Sequence, residues 1–171
     1  MSNFKPKICE HCNQTTETEL PIDKGSALLV LAIAQAQQVL GKKYVHLDQE
    51  VQVISDEANL YSLAMKGKCT PSMRRNASRP RYHGLIAFGA DSGSYLLTKK
   101  GADFLKGEPI YKTAIIDKTT KSNKGYIQED GTVTFDELIK SSEIPFWDGE
   151  QAKIRSLAAY HQHSLQNPTL L

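Results

Sequence analysis

The sequence has few cysteines and no long apolar run, and these two shortages restrict the class of protein. Its three cysteines are an odd number in a chain of 171 residues, so we expect no disulfide framework. The longest apolar run, Ala27 to Ala34, is far shorter than the roughly 20 residues that a helix needs to span a bilayer. Residues 1–7 lead into cysteines rather than into an apolar segment, so we expect no signal peptide. These features predict a cytoplasmic protein without a membrane partner.

The sequence also lacks the motifs of common enzyme classes. It contains no G-x-S-x-G, no P-loop, no H-E-x-x-H and no paired carboxylate motif. The closely spaced histidines His161 and His163 fall in a segment that we predict to be an exposed tail. Asp130, Asp136 and Glu137 stand at predicted turn and cap positions, where local hydrogen bonds explain them. We therefore expect a binding protein and not an enzyme.

Acidic residues are missing from one long stretch, although the net charge of the whole chain is only +2. Between Lys66 and Ala90 there are six lysines or arginines and no Asp or Glu, whereas segments 47–57 and 128–150 are acidic. A local basic patch on a nearly neutral chain favours a surface for an anionic partner. A solvated helix flank explains such a patch equally well.

A buried central helix is predicted near the N-terminus. Hydrophobic residues make up 40% of the chain, enough for a packed core. Residues 24–40 show helical periodicity, with Asp23 as N-cap and Gly41 as the residue that ends the helix. Leu29 and Ile33 share its broad apolar face, and we expect this helix to lie at the centre of the core.

The rest of the chain is predicted as a series of short helices and strands. A strand at 44–47 comes first, followed by one or two helices over 48–66 and a basic helix over 70–78 that Pro80 ends or kinks. Strands at 82–88 and 95–98 around a glycine-rich turn come next, and then a helix at 99–105 capped by Thr98. The last elements are strand-like segments at 110–117, 125–128 and 132–134, a helix at 135–139 with a Thr134 and Glu137 capping box, and a helix at 150–162. The order helix, short strand, helix, basic helix, hairpin and helix is that of a winged helix, in which the hairpin is the wing. Phe104 should pack near the first helix.

The wing and the helix after it resemble winged-helix proteins. The resemblance rests on Tyr82-His-Gly-Leu-Ile86, on the hairpin turn, and on Tyr95-Leu-Leu-Thr-Lys-Lys-Gly-Ala-Asp-Phe-Leu-Lys-Gly107. Over about residues 9–140 the chain is also similar to small uncharacterised phage and prophage proteins with an N-terminal CxxC, to which Tyr44-Val-His46 and Phe135-Asp-Glu-Leu138 add further matches. The resemblance implies an α+β fold with a winged helix-turn-helix core and a phage-encoded protein in the host cell cytoplasm.

The predicted organisation has four parts. They are a leader with the CxxC over residues 1–20, a winged-helix core over 21–108, a small strand and helix extension packed on the core over 109–149, and a C-terminal helix and tail over 150–171.

The basic stretch surrounds the position expected for a recognition helix. Arginine can bind guanine or phosphate with two parallel hydrogen bonds, and lysine acts as a point charge on the backbone. The predicted nucleic-acid contacts are Lys66, Lys68, Arg74, Arg75, Asn76, Arg79, Arg81, Lys99 and Lys100. We expect duplex DNA as the partner and a regulatory role. The alternative is a docking protein that inhibits or redirects a host complex, such as a nucleic-acid-handling defence system, and weak salt dependence would distinguish it from a DNA reader.

The cysteines raise the possibility of zinc. Cys9 and Cys12 have the spacing at which two thiolates bind one tetrahedral Zn²⁺, and Cys69 is the candidate third ligand. His83, His46 or a partner subunit could complete the set. Unliganded cysteines in a flexible leader are the alternative, whereas redox chemistry would need a thioredoxin-like βαβ context that the sequence does not show.

Overall fold

The chain forms a mixed α+β structure with small antiparallel sheets. The computed structural model describes residues 16–51, 71–140 and 147–166. The helices are α1 (Lys24–Leu40), α2 (Pro71–Arg75), α3 (Ser78–Tyr82), α4 (Lys99–Lys106), α5 (Phe135–Lys140) and α6 (Trp147–Gln166). The strands are β1 (Glu17–Pro21), β2 (Val45–His46), β3 (Ile86–Phe88), β4 (Ser94–Leu97), β5 (Ile110–Tyr111), β6 (Thr113–Asp117), β7 (Ser122–Tyr126) and β8 (Thr132–Val133). A π-helical turn occupies Leu47–Val51 and a 3-10 turn Gln128–Asp130.

None of the described helices is both long and apolar enough to cross a membrane.

Helix α1 lies at the centre of the structure, as its sequence predicts. Every residue from Ser26 to Gln37 is buried, and the helix packs against α2, α3, α5, α6 and β4. Its predicted ends are confirmed, because Asp23 accepts a hydrogen bond from the Ser26 amide at 2.8 Å and Gly41 adopts a left-handed φ of 63°. Burying a leucine or isoleucine side chain contributes about 1.5–3 kcal/mol. An apolar surface on all sides of one helix therefore accounts for much of the fold's stability.

The predicted core residues are confirmed. Leu29 and Ile33 of α1 are fully buried, and so is Phe104 of α4. All three belong to one continuous cluster, and the Phe104 ring meets Phe135 edge-on, with centroids 5.7 Å apart. Helix α4 is thereby fixed against both α1 and the C-terminal half of the chain.

The predicted hairpin is present in a three-stranded sheet with the order β2-β4-β3. Phe88 pairs with Tyr95 across the hairpin, and Val45 of β2 pairs with the same Tyr95 from the other side. The buried Gln37 side chain ties α1 to this sheet, because its Oε1 accepts a hydrogen bond from the Leu97 amide at 2.8 Å. The hairpin therefore has a fixed position relative to the central helix.

The segment before the hairpin differs from the prediction. The basic helix over 70–78 is divided into α2 and α3, and Tyr82, which was expected to begin a strand, ends α3. Pro80 does not terminate a helix because it is the third residue of α3. The amide hydrogens of a first helical turn have no partner within the helix, so a proline is tolerated there.

Two helix starts in the second half agree with the prediction. Thr98 accepts a hydrogen bond from the Gly101 amide at 3.0 Å, and Gly107 ends α4 in a left-handed conformation. Thr134 and Glu137 form the predicted capping box, in which each side chain accepts a hydrogen bond from the backbone amide of the other at 3.2 and 3.1 Å. These contacts join residues only three apart, which makes them readable from sequence.

The predicted leader ends earlier than residue 20. Strand β1 pairs with β6 in a sheet of order β1-β6-β7, so the expected boundary at Pro21 falls inside a strand. Residues Ala114 and Ile116 of β6 are buried, and the backbone of such a central strand needs hydrogen-bond partners on both sides. An edge strand supplies them even when its side chains are polar, so the polar residues Glu17, Thr18 and Glu19 belong to the fold and not to a leader.

The single strand predicted over 110–117 is two strands in different sheets. Residue Lys112 separates β5, which pairs with β8, from β6, which pairs with β7. Strands β7 and β8, which are neighbours in the chain, lie in different sheets.

The C-terminal helix is longer than predicted, and His161 does not lie in an exposed tail. Helix α6 continues to Gln166. Ile154, Leu157 and Ala158 are buried on the face that continues to His161, which is only 3% exposed. The Nε2 of His161 lies 2.7 Å from the Ala34 carbonyl oxygen of α1, to which it donates. Packing against α1 and α4 thus orders a segment that composition alone suggests is frayed.

Candidate nucleic-acid interface

Helix α2, the π-helical turn and the β3–β4 hairpin border an open groove of about 430 Å³, which we call the helix–hairpin groove. Pro71, Arg74 and Arg75 line it from α2, Gly93 and Tyr95 from the hairpin, and Leu47 and Asp48 from the π-helical turn. Gly93 has a φ of 79°, a conformation that glycine adopts without strain and that turns the chain into β4. The groove therefore brings the predicted basic helix and the predicted wing to one site.

The two arginines of the groove are in different electrostatic states. The Nε of Arg74 donates to the Asp48 carboxylate at 2.9 Å, and the Arg74 side chain is only 12% exposed. Arg75 is exposed and has no carboxylate within salt-bridge distance in the described part of the chain. Arg74 consequently holds the wall of the groove in place, whereas the charge of Arg75 is free to attract an anion.

Four side chains form a continuous series of ring and cation contacts beside the groove, and we call them the hairpin row. The Arg81 guanidinium lies 4.4 Å from the ring centroid of Tyr82 and 4.5 Å from that of Phe88. The Phe88 ring lies 5.4 Å from Tyr95, which also lines the groove. Sequence reasoning included Arg81 but missed Phe88 and Tyr95. The predicted strands imply that these two residues lie near one another across the hairpin. They do not indicate on which face of the hairpin the two rings lie.

Arg79 and Asn76 take part in internal contacts. The Nη1 of Arg79 donates to the Pro21 carbonyl, and its Nε lies 3.5 Å from the Asp23 carboxylate. The side-chain amide of Asn76 donates to the Ser72 carbonyl at 2.9 Å. Arg79 thus joins α3 to the end of β1, and Asn76 caps the end of α2.

Lys99 and Lys100 are adjacent in sequence but have different surroundings. Lys99 is 80% exposed and pairs with Asp103 one helical turn later at 2.9 Å, a contact that contributes little in water. Lys100 donates to the His83 carbonyl at 2.8 Å and to the Tyr126 hydroxyl at 2.7 Å, and its Nζ lies 4.6 Å from the Tyr126 ring centroid. Lys99 therefore remains accessible to a ligand, while Lys100 connects α4 to β7.

His83 is fully buried at the junction of β1, β7 and α4. Its Nε2 lies 2.7 Å from the Leu20 carbonyl oxygen, so the neutral ring that donates from Nε2 fits this position. Burial is the main cause that lowers the pKa of His83 to about 4, and the nearby Lys100 acts in the same direction. The Nδ1 atom is buried and has no hydrogen-bond partner among the described residues, and the role of His83 as a zinc ligand stays a prediction.

The other predicted site residues are two lysines and the three cysteines. Lys66, Lys68, Cys9, Cys12 and Cys69 lie outside the described residues. Among residues 16–51, 71–140 and 147–166, no group of three or more His, Cys, Asp or Glu side chains is arranged to hold a metal ion. The zinc site remains a prediction from the spacing of the cysteines.

The site as described can bind an anion and a planar ring at neighbouring positions. Arg75 supplies a cation without a carboxylate partner among the described residues, Arg81 a cation in contact with two rings, and Phe88 an exposed aromatic face. No family model, curated protein or solved structure matches the chain.

Proposed function

We propose that this chain is a winged-helix protein that binds nucleic acid, with duplex DNA as its partner and regulation of transcription or of another DNA transaction as its role. The sheet order supports the fold. Strand β4 lies between β2 and β3, and the short helices α2 and α3 directly precede the hairpin. In a winged helix we expect a short strand to pair with the wing hairpin and the recognition helix to precede that hairpin directly.

The observation that carries the functional proposal is the opening of the helix–hairpin groove between a basic helix and the hairpin. A recognition helix and a wing that face one another can contact a duplex at two adjacent places. No carboxylate lies within salt-bridge distance of Arg75 among the described residues, and Asp48 of the same groove pairs with Arg74. A phosphate can therefore pair with Arg75 without first breaking an internal salt bridge. Arg74 adds charge but is already engaged by Asp48.

We expect Arg75→Ala to weaken duplex binding several-fold at moderate salt and to leave the melting temperature of the protein unchanged. Loss of one phosphate contact should make the slope of log affinity against log salt shallower by about 0.9. Fluorescence anisotropy with a labelled duplex across a salt series measures both quantities. We prefer the single variant to a double variant that also replaces Arg74. Removing Arg74 would leave Asp48 without its salt-bridge partner, and the result could not be assigned to lost DNA contacts alone.

Lys106→Ala is the matched control, because Lys106 is an exposed cation in the last turn of α4 and does not line the groove. Its affinity and salt slope should equal those of the unmodified protein. An Arg75→Ala variant with unchanged affinity and slope would show that the groove is not the DNA site. Absence of any salt-dependent duplex binding by the unmodified protein would overturn the proposal in favour of docking to a protein.

A further inference from the structure

Phe88 is much more exposed than the packing of the hairpin requires. Its side chain is 61% exposed, whereas the other exposed large apolar residues of the described chain range from 38% to 45%. The ring is nevertheless held in place, because Tyr95 packs beside it and the Arg81 guanidinium lies 4.5 Å from its centroid. An aromatic face that is both exposed and positioned is suited to stacking against a ligand.

Arg81 adds a cation to the same place. Its guanidinium contacts the rings of both Tyr82 and Phe88, at nearly equal distances from their centroids. The buried Nε has no hydrogen-bond partner, and no carboxylate pairs with the side chain among the described residues. Contact with the two rings orders this charge without neutralising it, so it remains able to attract a phosphate.

A nucleotide with an unpaired base matches these two features. Each base has a flat face that can stack on an aromatic ring, and each is joined to a phosphate that an arginine can bind. Bases inside a duplex stack on their neighbours, so only an unpaired or displaced base can offer its face to Phe88. An aromatic residue of a protein partner could stack there too, but the absence of carboxylate partners for Arg75 and Arg81 in the described chain favours a ligand that carries phosphate.

We infer that the hairpin row, Tyr82, Arg81, Phe88 and Tyr95, is a binding site for an unpaired base of DNA. Tyr95 belongs both to this row and to the helix–hairpin groove. A DNA molecule can therefore place its duplex part in the groove and an adjoining single-stranded base on Phe88. This inference rests on the proposed function and specifies its ligand as a junction between duplex and single strand.

The inference is tested with labelled DNAs of one duplex sequence. One DNA is blunt, and the others carry a short single-stranded overhang at the 5′ or the 3′ end. We expect the unmodified protein to bind the overhang DNA about tenfold more tightly, in keeping with the contribution of one stacked base. Phe88→Ala should bind both DNAs equally, with the affinity for the blunt duplex unchanged. Phe88→Tyr retains a ring and should keep the preference, and Val39→Ala, which removes exposed apolar surface from α1, should also keep it.

A fluorescent adenine analogue at the first unpaired position gives a direct readout of stacking. Its emission should be quenched by the unmodified protein and not by Phe88→Ala, and unchanged melting of the variant shows that it is folded. Equal binding of both DNAs by the unmodified protein, with Arg75→Ala still weakening the blunt duplex, would overturn the base site and leave the proposed function standing. Failure to bind either DNA would overturn both.

Discussion

Replacing Gly101 with alanine should destabilise the protein by about 3 kcal/mol, the upper end of the usual cost of overpacking. The same change in an ordinary helix stabilises by up to about 1 kcal/mol, because alanine has the higher helix propensity. At Gly101 an added Cβ would lie 2.1 Å from the Leu85 carbonyl oxygen and 2.7 Å from a methyl group of Leu97. Neither distance is compatible with van der Waals contact, so the backbone of α4 or of the hairpin must move.

The surrounding hydrogen bonds make that movement costly. The Leu85 carbonyl already accepts a hydrogen bond from the Thr98 amide at 3.1 Å. The Thr98 side chain caps α4 through the Gly101 amide at 3.0 Å and donates to the Gly84 carbonyl. Shifting α4 away from Leu85 would therefore weaken both its N-terminal cap and its attachment to the hairpin.

Gly25→Ala is the matched control, because Gly25 is also helical but has room for a side chain. Its added Cβ would meet Asp23 and Met73 at 3.8 and 3.9 Å, which are ordinary contacts. We expect this variant to be unchanged or up to about 1 kcal/mol more stable. Urea unfolding followed by circular dichroism measures both variants. A Gly101→Ala protein as stable as Gly25→Ala would show that α4 does not approach Leu85 as closely as described.

The features that the sequence predicts well are those determined by residues close together in the chain. Asp23 and Thr98 cap their helices through amides three residues later, and Gly41 and Gly107 end theirs in left-handed conformations. The hairpin is also local, since its strands are joined by one short turn. These interactions need no information about the rest of the fold.

The features that were missed depend on partners distant in sequence. Residues 17–19 are polar, and only pairing with β6 makes them part of a strand. His161 is buried because α6 packs on α1. Composition shows neither relation, since pairing and burial are decided by tertiary context.

The candidate site divides in the same way. The run without acidic residues correctly identified a cationic segment, but the fold determines what each cation contacts. Arg79 and Lys100 bind backbone carbonyls, whereas Arg75 remains exposed and without a carboxylate partner in the described chain. The approach of Phe88 to Arg81 joins a strand to a helix, and no periodicity relates two such positions.

Acidification below about pH 6.5 should destabilise the fold because of His83. The unfolded chain has an ordinary histidine pKa of 6.5, whereas burial lowers the pKa of His83 in the folded state to about 4. The unfolded state therefore takes up a proton first as the pH falls. The stability that neutral His83 provides is complete above pH 6.5 and is lost progressively until the pH reaches about 4. From about pH 7.5 to about pH 4.5 the expected loss in the free energy of unfolding is about 2.5 kcal/mol.

The groups around His83 act in both directions. The Nε2 bond to the Leu20 carbonyl and the Asp23 carboxylate raise the pKa of His83, whereas burial, Lys100 and Arg79 lower it. Burial has the largest effect, because the ring has no access to water, and the pKa of His83 is therefore lowered on balance.

Urea unfolding at a series of pH values tests this prediction with three variants. His83→Gln cannot titrate, so it should be less stable at neutral pH but should lose about 2.5 kcal/mol less on acidification. His161 is also buried, and burial lowers its pKa, so His161→Gln should remove a separate part of the pH dependence. Val39→Ala removes exposed apolar surface from α1 and no titratable group, so it should keep the pH profile of the unmodified protein. If His83→Gln loses stability on acidification as steeply as the unmodified protein, the pKa of His83 is not lowered by burial, and the junction of β1, β7 and α4 is open to water.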